Sequence, residues 1–189
     1  ILDQFNMTKN LKKRVYTSFS LLLLFFLMLI NNYILGYILI IAGIFSIMEF
    51  IKMNSIIFKK KKIVSILSNF LFIIYIFVFC SSLLIFSSFV HLKIMIFIII
   101  LTCIASDIGG FLFGKIFKGA KLTKISPNKT ISGAIGSIIF SCITYFLVIF
   151  YLTNNLSLII LLVAISTSIA CQVGDLFFSY LKRKSFLKD

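Results

Sequence analysis

The sequence predicts an all-α fold, a polytopic transmembrane helix bundle of about six spans, and three observations carry that expectation. The first is composition. Of 189 residues, 61% are hydrophobic and 13% charged, with a mean hydropathy of +1.16. Soluble chains are about half apolar and about a quarter charged, so this chain lies in the membrane class. The second is run length, because several apolar stretches reach the about 20 residues that cross a bilayer. The third is charge placement. The net charge is +14, but the lysines stand between apolar runs and not on one soluble face, which excludes nucleic acid as the partner.

Taken in order, the spans fall near 15–31, 33–51, 63–88, 92–114, 131–152 and 157–178. Lys9, Lys12, Lys13 and Arg14 precede the first in the manner of a signal peptide. No small-residue cleavage site follows Ile30, so a retained span is expected. The chain opens on Ile1, with Met7 as an alternative start. Asn31 and Asn32 form a tight polar turn before the second span. The third run is long enough to tilt or break near Ser81 and Ser82. His91 and Lys93 are expected in a short loop before the fourth. Cys80, Cys103, Cys142 and Cys171 all lie in apolar runs without CxxC spacing, which reads as buried free thiols. No Pro/Gly/Ser-rich linker divides the chain, so residues 1–189 read as one integral membrane domain. Residues 1–101 supply scaffold spans and 102–189 the motif-bearing part.

Eighteen of the nineteen basic residues fall in the N-terminal tail, the loops after the second and fourth spans, and the C-terminal tail; the opposite loops hold only Lys93. The positive-inside rule makes the basic side cytoplasmic and places both termini there.

Topology does not explain three acids. Glu49, Asp107 and Asp175 lie within or at the ends of spans. Asp107 precedes Lys115, and Asp175 precedes Lys182, by a separation of roughly 10–12 Å along a helix. A carboxylate at that depth is costly and reads as functional, the bland alternative being an ion pair with a loop lysine. Cys103 and Cys171 each stand four residues before their aspartate. That likeness fits either an internal repeat around one site or chance in a restricted alphabet.

The stretch from Ser106 to Gly136, SDIGGFLFGKIFKGAKLTKISPNKTISGAIG, holds the only proline, five of the basic residues and most of the glycines. Lys115, Lys118, Lys121, Lys124 and Lys129 are interleaved with Ser126, Thr130 and glycines, a set suited to phosphate oxygens. Thr130 to Gly133 are expected at a helix N-terminus, a natural anion site. Pro127 fixes the turn. Gly110 with Gly114, and Ser132 with Gly136, have the small-xxx-small spacing of close helix packing. Carboxylates for a divalent cation beside cationic phosphate binders, at a lipid surface, suggest phosphoryl or nucleotidyl transfer onto a lipid phosphate.

On these residues the chain resembles the phosphatidate cytidylyltransferases (CDP-diacylglycerol synthases). The family's central pattern is matched by Asp107, Gly109, Gly110, Phe113, Gly114, Lys121, Leu122, Ser126, Pro127, Lys129, Thr130 and Gly133. Its C-terminal signature is matched by Ser179, Leu181, Lys182, Arg183, Lys188 and Asp189, with Gly174 and Asp175 upstream. Ile131 stands where the family usually has Trp, and Ser132 where it often has Glu. The family pattern continues past Lys-Asp into a Pro-Gly-His-Gly-Gly segment, an Asp-Arg-x-Asp and usually a further span, whereas this sequence stops at Asp189. The resemblance therefore implies a chain carrying the phosphate-binding side and half of the metal site, truncated at its C-terminus.

The resemblance implies a nucleotidyltransferase of a bacterial-type inner (plasma) membrane that condenses CTP with phosphatidate to CDP-diacylglycerol and pyrophosphate, with Mg²⁺ as cofactor. It implies Asp175 as a metal ligand. Lys129, Lys182 and Arg183 would hold phosphates, Ser126, Thr130 and Ser179 would be their hydroxyl partners, and Asp107 would be a second polar anchor. Lys121, Lys188 and Asp189 complete the expected substrate-binding set. The partners are CTP, phosphatidate and the lipid bilayer, with a homodimer as one assembly open to the chain. Two alternatives stand beside this reading. A small transporter coupling ions through Asp107 and Asp175 explains the buried acids, but neither the Ser-Pro-Asn-Lys-Thr loop nor the basic tail. An inactive scaffold is the third reading.

Overall fold

The computed structural model describes residues 16–17, 19–123, 126, 129–155 and 157–186. They form α1 (Phe19–Ile30), α2 (Asn32–Ile57), α3 (Lys62–Ser87), α4 (Val90–Phe117), α5 (Ile131–Thr153) and α6 (Leu158–Lys184). The all-α expectation holds, with α2 to α6 long and apolar enough to cross a membrane. The first expected span is represented by the short α1. Residues 15 and 18 of that span, like the basic tail before it, lie outside the described residues.

Three expectations need correction. Helices α2, α4 and α6 run past the expected span ends to Ile57, Phe117 and Lys184. Apolar run length marks where the bilayer ends, but lysine and other straight-chain residues propagate a helix well beyond it. The third span is not broken at Ser81 and Ser82. Their hydroxyls donate back to the carbonyls of Val78 at 3.0 Å and Phe79 at 2.8 Å, so α3 satisfies its own polar groups. His91 is not in a loop but in the first turn of α4.

The two ends of the bundle differ chemically. At one end, Lys93 at the start of α4 donates to Asn32 Oδ1 at 2.6 Å, and Asn32 donates to the carbonyl of Ser87 at 3.3 Å. At the other end, Glu49 of α2 meets Lys182 of α6 at 3.2 Å, and Lys129 before α5 meets Asp175 of α6. Among the described residues, the lysines after α2, those from the end of α4 to the start of α5, and the basic residues closing α6 gather at the second end, as the loop charges led one to expect.

The closest packing in the bundle is α4 against α5. Apolar lipid gives helices no hydrophobic reason to associate, so shape and small residues decide. A Cβ built on Gly109 would lie 2.6 Å from both Gly136 O and Phe140 Cβ, and one on Gly136 would collide with Phe113 Cβ. Only glycine permits this approach. Helix α6 joins through a cluster of Ile98, Tyr145, Ile149, Ile160 and Ala164. Helices α2 and α3 form a second pair, in which Phe50 stacks on Phe72 with centroids 3.9 Å apart. Buried Asn54 locks that pair by donating to the Ser65 carbonyl at 2.9 Å and to Asn69 Oδ1 at 2.6 Å.

Candidate active site

The site begins where α4 stops. Lys118 adopts a left-handed conformation (φ 41°) that ends the helix. The chain then leaves and returns as two antiparallel legs joined by Leu122 N–H to Lys129 O at 2.8 Å and Ile131 N–H to Ala120 O at 2.9 Å. The loop tip is tightened by Lys129 N–H to Ser126 O at 3.1 Å and by Ser126 N–H to Thr123 Oγ1 at 3.2 Å. Thr130, in extended conformation, caps α5 by accepting from Gly133 N–H at 3.1 Å. Ser132 Oγ accepts from Gly119 N–H at 3.2 Å and ties the cap to the outgoing leg. The backbone of Lys129 is thus pinned beside a helix N-terminus. Replacing Thr130 by Ala should cost about 1 kcal/mol through the lost cap, with Ser retaining most of it. Thermal unfolding of the three forms followed by circular dichroism would measure this.

Helix α6 supplies the facing wall. Ser168, Gln172, Asp175, Ser179 and Lys182 recur at alternating spacings of four and three, which places them along one helical face. Ser168 is buried and shares a hydrogen bond of 3.0 Å with buried Ser106 of α4. Gln172 donates to Ser168 Oγ and to the carbonyl of Ala134 in α5, both at 3.3 Å. This chain of polar groups joins α4, α5 and α6 one turn below Asp175. The sequence reading missed Gln172, Ser168 and Ser106. The signal for the α6 pair was present in the polar spacing of an otherwise apolar helix.

Asp175 Oδ2 accepts from Lys129 Nζ at 2.9 Å. Both line a cavity of about 250 Å³ together with Asp107, Thr130, Gly133 and Gln172. Asp107 Oδ1 accepts from Cys171 Sγ at 3.8 Å, so the two aspartate-bearing segments noticed in the sequence lie side by side. Four of the expected site residues, Asp107, Lys129, Thr130 and Asp175, are therefore brought together. Lys121, Ser126, Ser179, Lys182 and Arg183 lie outside the cavity lining. Lys121 pairs with Thr130 in an isolated antiparallel bridge, and Lys182 is held by Glu49. Lys188 and Asp189 lie outside the described residues.

Among the described residues, no three His, Cys, Asp or Glu side chains gather in a metal-binding group. The cavity offers the two carboxylates of Asp107 and Asp175. A hard divalent cation such as Mg²⁺ is commonly held by one or two carboxylates, with water and the oxygens of a bound phosphate as its remaining ligands, and this donor set fits that pattern. The Lys129 ammonium and the capped N-terminus of α5 provide positive character on the opposite wall.

Two carboxylates, a lysine and a capped helix N-terminus thus meet in one cavity, within a bundle of helices long and apolar enough to cross a membrane. The sequence profile of the cytidylyltransferase family matches residues 5–189, and the chain belongs to that family. Its curated relatives include the phosphatidate cytidylyltransferase of Staphylococcus haemolyticus, 43% identical over 86 residues, covering 44% of this chain and 33% of the relative. The enzyme of the same name from Helicobacter pylori strain J99 is 37% identical over 92 residues, covering 48% and 34%. That of Staphylococcus aureus strain COL is 41% identical over 86 residues, covering 44% and 33%. The matched region spans about a third of the length of these relatives. No solved structure matches the chain. The ion-coupled transporter reading gains no support from these relatives.

Proposed function

We propose that the chain is the phosphate-binding part of a nucleotidyltransferase that condenses CTP with phosphatidate to CDP-diacylglycerol and pyrophosphate. The observation that carries this reading is the meeting of Lys129 and Asp175 in one cavity at the capped N-terminus of α5. The names of the relatives support the choice of nucleotide and lipid. In the reaction, a phosphatidate oxygen attacks the α-phosphorus of CTP. A new phosphorus–oxygen bond forms, the bond from that phosphorus to the bridging oxygen breaks, and pyrophosphate leaves with the electron pair. The attacking phosphomonoester is already anionic at neutral pH, so no side chain has to remove a proton.

Lys129 and the first amides of α5 bind phosphate oxygens, and the Thr130 hydroxyl fixes those amides. Asp175, with Asp107 beside it, would hold Mg²⁺, which when bound neutralises the triphosphate charge and steadies the leaving group. Lys182, Arg183 and Ser179 extend the same wall toward the bundle end, where they meet incoming phosphates, and Lys121 and Ser126 shape the loop mouth. The basic end is the cytoplasmic one, where CTP is found.

Two membrane preparations test this, the 189-residue chain and a version extended by its downstream reading frame. Each receives phosphatidate, Mg²⁺ and labelled CTP. Turnover by the extended version is the expected result. Turnover by both would show that Asp175 and the loop suffice, and failure of both despite correct insertion would refute the enzymatic reading.

A further inference from the structure

Lys129 does more at this site than face a substrate, because its ammonium already occupies an oxygen of Asp175 at 2.9 Å. A divalent cation on the same carboxylate would add a second positive charge beside the ammonium, and the two would compete for Asp175. We infer that Lys129 is an exchangeable counter-ion of Asp175, released when a divalent cation takes the carboxylate and then transferred to the phosphate oxygens of the nucleotide. This rests on the reading of Asp175 as a metal ligand.

Three features of the site support the exchange. The Lys129 and Asp175 side chains are 32% and 52% exposed, so neither is sealed between the helices. The backbone of Lys129 is fixed on both sides, by its N–H to Ser126 O and its carbonyl to Leu122 N–H, while its four-carbon stem stays free to turn. The amides of the α5 N-terminus begin at the next residues, so a released ammonium and a phosphate share one corner of the cavity. The consequence is coupling. The cation frees the lysine for the nucleotide, and the nucleotide draws the lysine off the carboxylate, so each tightens the other by the same factor.

Mn²⁺ serves as the probe, with free Mn²⁺ followed by electron paramagnetic resonance on the full chain in nanodiscs. Lys129→Gln should tighten Mn²⁺ binding in the absence of nucleotide about fivefold, the scale of a partly solvated ion pair. It should also shrink the further tightening that CTP produces. Lys129→Arg keeps a competing cation and should bind Mn²⁺ as the wild type does, which separates charge from any general loosening of the loop. In an Asp175→Asn background, Lys129→Gln should change nothing. If Lys129→Gln leaves Mn²⁺ affinity unchanged or weaker while Asp175→Asn abolishes it, the exchange is wrong and the metal assignment stands. If Asp175→Asn binds Mn²⁺ as tightly as the wild type, both fall together.

Discussion

Asp175→Asn should reduce CTP-dependent turnover of the extended enzyme by at least about a hundredfold, the scale seen when a group stabilising transition-state charge is removed. Membrane insertion and helix content should not change. The substitution keeps the shape of the side chain and removes its charge. What it takes from the fold is one ion pair between partly exposed groups, worth at most about 1 kcal/mol. The activity loss should therefore far exceed the stability loss. Turnover by the Asn variant within a few fold of wild type would remove Asp175 from the metal role, whatever else the cavity binds.

The second large effect concerns the α4–α5 seam. A Cβ on Gly136 would collide with Phe113 Cβ and lie 2.8 Å from the Gly109 carbonyl. Neither neighbour is the free end of a flexible chain, so the helices must part. Gly136→Ala should cost about 1–3 kcal/mol as overpacking. The loop carrying Lys129 is strung between these two helices, so the separation should also displace the lysine from Asp175. Gly174→Ala is the contrast. Nothing lies within 4 Å of its Cβ position, and alanine in a helix interior is favoured over glycine by about 0.5–1 kcal/mol. Thermal unfolding in detergent should thus lower the midpoint for the first and hold or raise it for the second. Equal shifts would show that glycine content, not the seam, governs stability.

Much of this architecture was legible because the bilayer imposes a coarse rule. Long apolar runs and lysine-bearing loops are enough to find α2 to α6, although not their ends, since Ile57, Phe117 and Lys184 lie past the expected span ends. The small-xxx-small spacing announced a close seam but not its partner. That Gly136 meets Phe113 and Gly109 follows from how two helices dock, which no local pattern records. The site was half visible. Asp107, Lys129, Thr130 and Asp175 stood out because charge and glycine are rare in so apolar a chain. Their pairing did not, because the sequence offered five loop lysines for two aspartates and gave no means to choose among them. Gln172 and Ser168 were passed over as ordinary polar residues in a span. Their meaning depends on α5 and α4 standing opposite, where the Ala134 carbonyl accepts from Gln172 and Ser106 shares a hydrogen bond with Ser168.

The central claim is that the cavity directs attack on the α-phosphorus of CTP. It is tested most directly by giving the extended enzyme phosphatidate, Mg²⁺ and CTP labelled separately at the α- and γ-phosphates. The account predicts that the α-label enters the lipid and the γ-label is released as pyrophosphate. Appearance of the γ-label in the lipid would mean transfer of a terminal phosphoryl group, and the cytidylyl-transfer account would be wrong.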